Sequence, residues 1–287
     1  GIKSNFSVYD STDQARCIKQ AVKDCELDTS NFSPARMLAV ISTLKNKLID
    51  AESFRKDADD FFSNTLSEIY LCYKRILNER NGLDFDDLLM KTAFLLQNCP
   101  DVCRELGERF KFLLIDEYQD TNHAQYRIAK ALASQHNNIC ATGDPDQSIY
   151  SWRSADLRNI INFEKDFPDA RVILLEQNYR STKTILETAS SIIAANRQRK
   201  QKQLWTENEP GDKINIVETY NEQEEAQFVV REIERLMEQD KARPSDCAVM
   251  YRTNAQSRLL EDALRRASVP YQVVGSVQFV RGLNKVL

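Results

Sequence analysis

Several features that would place this protein in a special class are scarce in its sequence. Seven glycines and seven prolines in 287 residues leave little material for long loops, so we expect mostly helices with short connections. No apolar run reaches about 18 residues, which argues against a membrane span, and residues 1–10 carry no signal-peptide pattern. These gaps favour a globular protein of the cytoplasm.

Metal-ligating patterns and strong net charge are also missing. The seven cysteines are irregularly spaced, and the closest pair, Cys99 and Cys103, matches no zinc-binding spacing. We therefore expect reduced thiols, as is usual in the cytoplasm. The net charge of −4 provides no general attraction to nucleic acid, so a binding site for a polyanion must be a local patch.

The first part of the chain has the periodicity of helices. Asp10 precedes apolar residues at helical spacing, and Ser33-Pro34 begins a second segment of this kind. A long apolar stripe then covers about residues 54–79, and we interpret it as core packing. Residues 1–84 are accordingly predicted to form an all-helical subdomain.

Short apolar runs alternate with helical segments in the rest of the chain. The runs that we predict to be strands are residues 112–115, 138–142, 171–175, 213–217, 247–251 and 271–274. Strands that alternate with helices predict an α/β fold with a mostly parallel sheet and right-handed crossovers. We place the boundary between two α/β units near Gln177, which gives segments 85–177 and 178–287.

Two adjacent carboxylates, Asp116 and Glu117, follow the first of these runs. The run itself, residues 112–115, is typical of a strand buried on both faces. Ligands bind at the carboxyl edge of such sheets, where one acid can hold a divalent cation and its neighbour can polarise a water. An acidic helix N-terminus that complements the helix dipole explains the pair equally well.

Polar side chains also follow the next two runs. The second run leads to Asp144 and Gln147, and the third to Gln177, Tyr179 and Arg180. Because parallel strands share one carboxyl edge, we expect these groups to meet one ligand there. An acid pair with an arginine is the chemistry of phosphoryl transfer, in which a cation bridges phosphate oxygens and the arginine stabilises developing negative charge.

A separate cluster, Tyr150, Trp152 and Arg153, combines two aromatic rings with a cation. Such rings stack on unpaired bases, at about 1–3 kcal/mol per base. The cluster taken alone also fits two core aromatics beside a surface arginine. A metal-dependent nuclease is disfavoured, because the sequence shows no cluster of carboxylates and histidines for a two-metal site.

Four segments resemble motifs of one family, in the family's order. Residues 115–122 (Ile-Asp-Glu-Tyr-Gln-Asp-Thr-Asn) look like motif II of the UvrD/PcrA/Rep group of superfamily 1 DNA helicases. Residues 143–155 resemble motif III, 175–182 motif IV, and 251–258 the later signature of the second motor domain. The resemblance implies RecA-like sheets of the P-loop NTPase type in two partial motor domains, with the helical subdomain inserted in the first.

The resemblance implies a role for each matching residue. Asp116 would bind Mg²⁺, Glu117 would activate the hydrolytic water, and Gln147 would sense the γ-phosphate of ATP. Tyr179 would stack on the adenine, and Arg180 would act as an arginine finger. The motif III cluster would lie on the path of single-stranded DNA: Tyr150, Trp152 and Arg153.

The activity implied by the resemblance is that of an ATP-dependent 3′-to-5′ DNA helicase. It would act as a monomer on single-stranded DNA and duplex junctions, with repair or replication proteins as further partners. No glycine of this chain is followed by lysine, so the P-loop pattern G-x-x-x-x-G-K-[ST] is absent, as are motifs V and VI. We therefore expect little or no ATPase activity from this chain by itself.

Two points qualify the implied activity. A truncated relative that binds single-stranded DNA or a protein partner without catalysis is the alternative function. Motif III also has Ser154 where the family usually has glycine, a change that we expect the fold to tolerate.

Overall fold

The chain folds into two compact units, the first ending at Gly211 and the second beginning at Asp212. The computed structural model describes residues 2–27, 32–196 and 202–274. The segment bounds at residues 84 and 177 stay predictions, and the end of the third predicted segment lies outside the described residues.

Helices form most of the first unit. They are α1 Ser11–Asp24, α2 Pro34–Asn46, α3 Ala51–Asp57, α4 Phe61–Glu79, α5 Phe85–Asn98, α6 Pro100–Arg109, α7 His123–Ala133, α8 Arg158–Ile161, α9 Phe163–Asp166 and α10 Lys183–Ile193. The apolar stripe over residues 54–79 is divided between α3 and α4. The division arises because the carboxylate of Asp60 accepts a hydrogen bond from the amide of Ser63 and so caps a new helix.

The main hydrophobic core of the first unit lies among α1, α2 and α4. Its fully buried apolar side chains include Ile18, Val22, Met37, Ile41, Leu66 and Ile69. Tyr73 and Leu77 of α4 continue the same buried face. The interpretation of the apolar stripe as core packing is therefore confirmed.

A short parallel strand pair accompanies these helices. β1 (Ser7–Tyr9) pairs with β2 (Gly82–Asp84), with Ser7 opposite Gly82. The prediction of an all-helical subdomain missed the pair, because each strand has only three residues and neither shows an alternating pattern. Gly82 is needed at this position, since a Cβ there would lie 2.6 Å from Cε1 of Tyr9.

The strand before the acid pair and its neighbour form a second parallel pair. β3 (Leu113–Ile115) pairs with β4 (Ile139–Ala141), as the apolar runs predict. The prediction that this strand is buried on both faces is wrong, because Leu114 is 80% exposed. Within the described part of the first unit, no layer packs over that face of the pair.

The other four predicted strands are not observed. The structure forms no β-ladder over residues 171–175, 213–217, 247–251 or 271–274, all of which are described. A ladder needs a neighbouring backbone that exchanges hydrogen bonds, which an apolar run cannot supply by itself. Ile173, for example, is 67% exposed. The mixed α/β class with parallel pairing is nevertheless confirmed.

The second unit contains two helices that pack together, α11 (Glu222–Glu238) and α12 (Ser257–Arg266). The carboxamide of Asn221 caps α11 by accepting a hydrogen bond from the amide of Glu224. A small core lies between the two helices: Val230, Ile233, Leu264 and Val269. In neither unit is any described helix long and apolar enough to cross a membrane.

Candidate functional site

Asp116 and Glu117 form a sharp turn at the end of β3. Glu117 adopts a left-handed backbone conformation with φ of 50°, and its amide donates to Oδ1 of Asp116 over 3.0 Å. Both side chains are exposed. The next α-helix, α7, is capped by Asn122 rather than by either acid. Glu117 precedes a 3-10 turn, Tyr118–Asp120, but its side chain makes no capping hydrogen bond there. Neither acid therefore caps a helix with its side chain, which favours the strand-end interpretation.

Gln119 joins the acid pair to the loop after β4. This side chain is 1% exposed. Its Nε2 donates to Oε2 of Glu117 over 2.6 Å, and its Oε1 accepts from the amide of Asp144 over 2.9 Å. One buried carboxamide thus connects the predicted water-activating acid with motif III.

The loop after β4 places Gln147 beside this connection. Asp144 caps a 3-10 turn over Pro145–Gln147, and its second carboxylate oxygen accepts from Nε2 of Gln147 over 2.9 Å. A chain of hydrogen bonds therefore runs from Glu117 through Gln119 and Asp144 to Gln147. The expectation that the first two strand ends share one site agrees with this geometry.

Lys202 supplies a positive charge to the same loop. Its ammonium group forms an ion pair with Asp144 and lies 3.5 Å from Oδ2 of Asp146. Burial by itself raises the pKa of Asp144, but hydrogen bonds from Lys202 and Gln147 outweigh it and hold the pKa below its usual value. Asp144 is therefore ionised at neutral pH and remains an acceptor for Gln147.

The aromatic and basic cluster of motif III is at the surface. Trp152 is 66% exposed, and its ring centroid lies 6.3 Å from that of Tyr150. The guanidinium carbon of Arg153 lies 4.5 Å from the centroid of the Trp152 ring. These are not core aromatics. An exposed ring with a stacked cation is the arrangement that binds unpaired bases.

Two contacts hold this cluster against motif II. The backbones of Asn122 and Ala155 form an antiparallel bridge. The buried carboxamide of Asn159 donates to the carbonyl of Thr121 over 3.0 Å. Motif II and the segment that carries the aromatic cluster are thus joined by hydrogen bonds.

Ser154 adopts the left-handed conformation, with φ of 65°. This conformation costs about 1–2 kcal/mol for a residue that has a Cβ. We predict that Ser154→Gly raises the free energy of unfolding by about 1 kcal/mol, after the greater freedom of glycine in the unfolded chain is subtracted. Urea unfolding followed by circular dichroism measures this change in the free energy of unfolding. The control Ser151→Gly, in a 3-10 turn, should be neutral or destabilising.

Motif IV lies on an extended segment next to Trp205. The amide of Asn178 donates to the carbonyl of Trp205 over 2.7 Å, and the amide of Trp205 donates to the carbonyl of Glu176 over 3.0 Å. Tyr179 is 78% exposed, and its hydroxyl donates to Oε1 of Gln177 over 2.7 Å. The side chain of Arg180 is exposed as well. Motif IV thus presents Tyr179 and Arg180 to solvent.

A preformed metal cage is not a feature of the described residues. Those residues contain no group of three or more histidine, cysteine or acidic side chains placed to hold an ion. Mg²⁺ in nucleotide sites usually keeps several waters and binds one or two carboxylates together with phosphate oxygens. The exposed carboxylate of Asp116, next to Glu117, fits a nucleotide-bound ion of that kind.

These features define an α/β protein with polar and charged side chains gathered at the carboxyl edge of a parallel strand pair. Residues 1–168 match the model of the UvrD/REP helicase N-terminal domain, and residues 173–282 match that of the UvrD-like helicase C-terminal domain. The chain therefore belongs to the UvrD/REP helicase family, and its α/β units are of the RecA-like type.

Curated relatives agree with this assignment. The chain is 46% identical over 279 residues to the ATP-dependent DNA helicase PcrA of Staphylococcus aureus, and 45% identical to the protein of that name from Staphylococcus epidermidis. The match covers 97% of this chain and 38% of each relative. This chain thus spans well under half the length of the curated relatives.

Three residues of the site were missed by the sequence analysis: Gln119, Asn159 and Lys202. Gln119 is two positions beyond Glu117, but its burial and orientation are properties of the fold that the sequence does not show. Asn159 and Lys202 act across 38 and 58 positions of sequence, respectively, so only the fold brings them to their partners.

Proposed function

We propose that this chain is part of an ATP-dependent DNA helicase that moves 3′ to 5′ along single-stranded DNA by hydrolysing Mg-ATP. The observation that carries the proposal is the hydrogen-bonded connection from Glu117 through Gln119 and Asp144 to Gln147. The same body presents the exposed Trp152 cluster, so a nucleotide site and a base-stacking surface share one rigid framework. The family assignment agrees with both parts.

Each residue of the site has a chemical task in this proposal. Glu117 accepts a proton from the attacking water, and Gln147 donates its carboxamide hydrogen to the γ-phosphate. Tyr179, which is exposed, offers a ring for the adenine, and Arg180 offers its guanidinium to the charge that develops on the phosphate. Asp116 would hold Mg²⁺, which neutralises phosphate charge when it is bound.

The proposal extends to partners and setting. Single-stranded DNA and duplex junctions are the nucleic-acid partners, with repair or replication proteins as further ones. The motor works as a monomer in the cytoplasm. The chain by itself turns over little or no ATP, because it carries no P-loop amides and lysine to hold the phosphates.

The base-stacking surface is testable on this chain. We predict that Trp152→Ala weakens the binding of a short single-stranded oligonucleotide by about 5- to 150-fold, which corresponds to the loss of one stacked base. Fluorescence anisotropy of a labelled oligonucleotide at two salt concentrations measures the affinity, and wild-type binding should weaken as salt rises. Tyr220→Ala is the matched control, since this aromatic is 97% exposed but lies outside the cluster.

The second candidate function is a non-catalytic module. The exposed cluster at Trp152 favours a nucleic-acid module over a protein-binding one. Salt-sensitive binding that Trp152→Ala removes, together with inactivity in every ATPase format, would favour the DNA-binding module. The absence of oligonucleotide binding would contradict both the helicase proposal and this module.

A further inference from the structure

The proposed function gives no chemical task to Gln119, the side chain that joins Glu117 to Asp144. It is fully buried, and both ends of its carboxamide are engaged: Nε2 on Glu117 and Oε1 on the amide of Asp144. The distances of 2.6 and 2.9 Å are those of well-formed hydrogen bonds. A buried side chain that contacts a reactive carboxylate at one end and another motif at the other end is placed to orient that carboxylate.

The surroundings hold this carboxamide in one position. Gly143 has no Cβ, and one built there would lie 2.5 Å from Oε1 of Gln119 and 2.9 Å from Cδ1 of Ile160. The amide of the adjacent Tyr118 donates to the carbonyl of Thr142 over 2.9 Å. The backbone hydrogen bond from Tyr118 to Thr142 and the side-chain hydrogen bond between Gln119 and Asp144 therefore join motif II to the loop after β4 at the same place.

Only a carboxamide satisfies both contacts. Its nitrogen donates to the carboxylate of Glu117, and its oxygen accepts from the amide of Asp144. A glutamate at position 119 would accept from Asp144 but would set a second carboxylate against Glu117. A methionine would fill a similar volume without making either hydrogen bond.

We propose that Gln119 is a positioning residue that fixes the carboxylate of Glu117 for attack by water and couples its orientation to the motif III loop, residues 143–155. The inference rests on the proposed function, in which Glu117 activates the water. A carboxylate that is free to rotate spends less time aligned with the attacking water, so turnover falls while the binding of ATP is little affected. A shift of the loop also moves the amide of Asp144, the donor that holds Oε1 of Gln119, and so moves Glu117.

The kinetic test uses a chimera in which this chain replaces the matching 279 residues of the Staphylococcus aureus relative. Gln119→Met and Gln119→Glu should each lower kcat for ATP about 10- to 100-fold, with KM for ATP changed less than about twofold. Gln125→Met is the matched control. Its side chain also accepts from a backbone amide, that of Asn122, but forms no hydrogen bond with Glu117, Asp144 or Gln147. Its kcat should stay within about twofold of the parent.

Hydrogen exchange, measured on this chain itself, distinguishes the hydrogen bond of Gln119 to Asp144 from its hydrogen bond to Glu117. In Gln119→Met the amide of Asp144 loses its buried acceptor and should exchange at least about tenfold faster. In Gln119→Glu the acceptor remains, so the Asp144 amide should stay protected although kcat is lost in the chimera. A general unfolding of the region would accelerate exchange in both variants.

Three outcomes would overturn the inference. The first is loss of turnover in Glu117→Gln while both Gln119 variants keep the parental kcat, which leaves the proposed function intact. The second is a rise in KM that accounts for the whole loss in kcat/KM. The third is unchanged exchange of the Asp144 amide in Gln119→Met. If Glu117→Gln also keeps parental turnover, the proposed function itself fails.

Discussion

Lys45→Met is expected to lower the free energy of unfolding of the first unit by about 3–5 kcal/mol, the usual cost of removing one partner from a buried ion pair. The ammonium of Lys45 lies 2.6 Å from Oδ2 of Asp84 and 3.0 Å from Oδ1 of Asp87. All three side chains are at most 7% exposed, so water cannot replace the lost charge. Two buried carboxylates would remain, held only by neutral donors such as the hydroxyl of Tyr73.

Urea unfolding followed by circular dichroism measures this loss. Lys74→Met is the matched control, because Lys74 forms its ion pair with Glu52 at the surface, where the two side chains are 31% and 53% exposed. Such pairs contribute about 0–1 kcal/mol. A loss in Lys45→Met no larger than in Lys74→Met would show that the buried cluster is not a structural centre of the first unit.

The buried ion-pair cluster of Lys45, Asp84 and Asp87 lies next to residues that contact motif II. Asn46, next to Lys45 at the end of α2, donates to Oδ1 of Asp86 over 2.9 Å. The Oδ1 of Asn46 accepts from Nδ2 of Asn122 over 2.5 Å, and Asn122, the last residue of motif II, caps α7. Burial raises the pKa of Asp86. The helical part of the chain therefore supports motif II through buried polar contacts.

Glu117→Gln is expected to have the largest effect on activity. In the chimera with the Staphylococcus aureus relative, we predict that the substitution lowers kcat for ATP about 100- to 10,000-fold, because the amide cannot accept a proton from water. Binding of ATP should persist, since glutamine keeps the size and polarity of the side chain. Steady-state phosphate release gives kcat, and a fluorescent nucleotide gives the affinity.

Glu105→Gln controls for the change in charge. Glu105 is exposed on α6, away from the strand ends, and its replacement should leave kcat within about twofold of the parent. Equal turnover in Glu117→Gln and Glu105→Gln would remove Glu117 from the chemistry of the site.

Local patterns predicted the helices and the strands β3 and β4 well. The cap at Asp10, the helix start at Ser33-Pro34 and the apolar periodicity of α4 depend on residues close in the chain, which sequence shows directly. The prediction of a strand at residues 171–175 was wrong, because an apolar run does not reveal whether another strand lies beside it. The β1–β2 pair was missed for the opposite reason, since residues 7 and 82 meet only through the fold.

The site was predictable residue by residue but not in its connections. The residue types at the strand ends, acids and aromatics, indicate their chemistry directly. The resemblance then implied roles for Asp116, Glu117 and Gln147. The hydrogen bonds that join them depend on the orientation of Gln119, which no spacing rule reveals. The ion pair of Lys202 with Asp144 likewise joins residues 58 positions apart in the sequence, which only the fold brings together.

DNA-dependent ATP turnover of the chimera most directly tests whether the nucleotide site and the base-stacking surface belong to one motor. We predict that single-stranded DNA raises kcat for ATP, that Trp152→Ala removes most of this rise while leaving basal turnover, and that Glu117→Gln removes both. Tyr220→Ala should behave as the parent does. ATP turnover that is indifferent to DNA and to Trp152, measured at an oligonucleotide concentration that saturates the parent, would contradict a coupled motor.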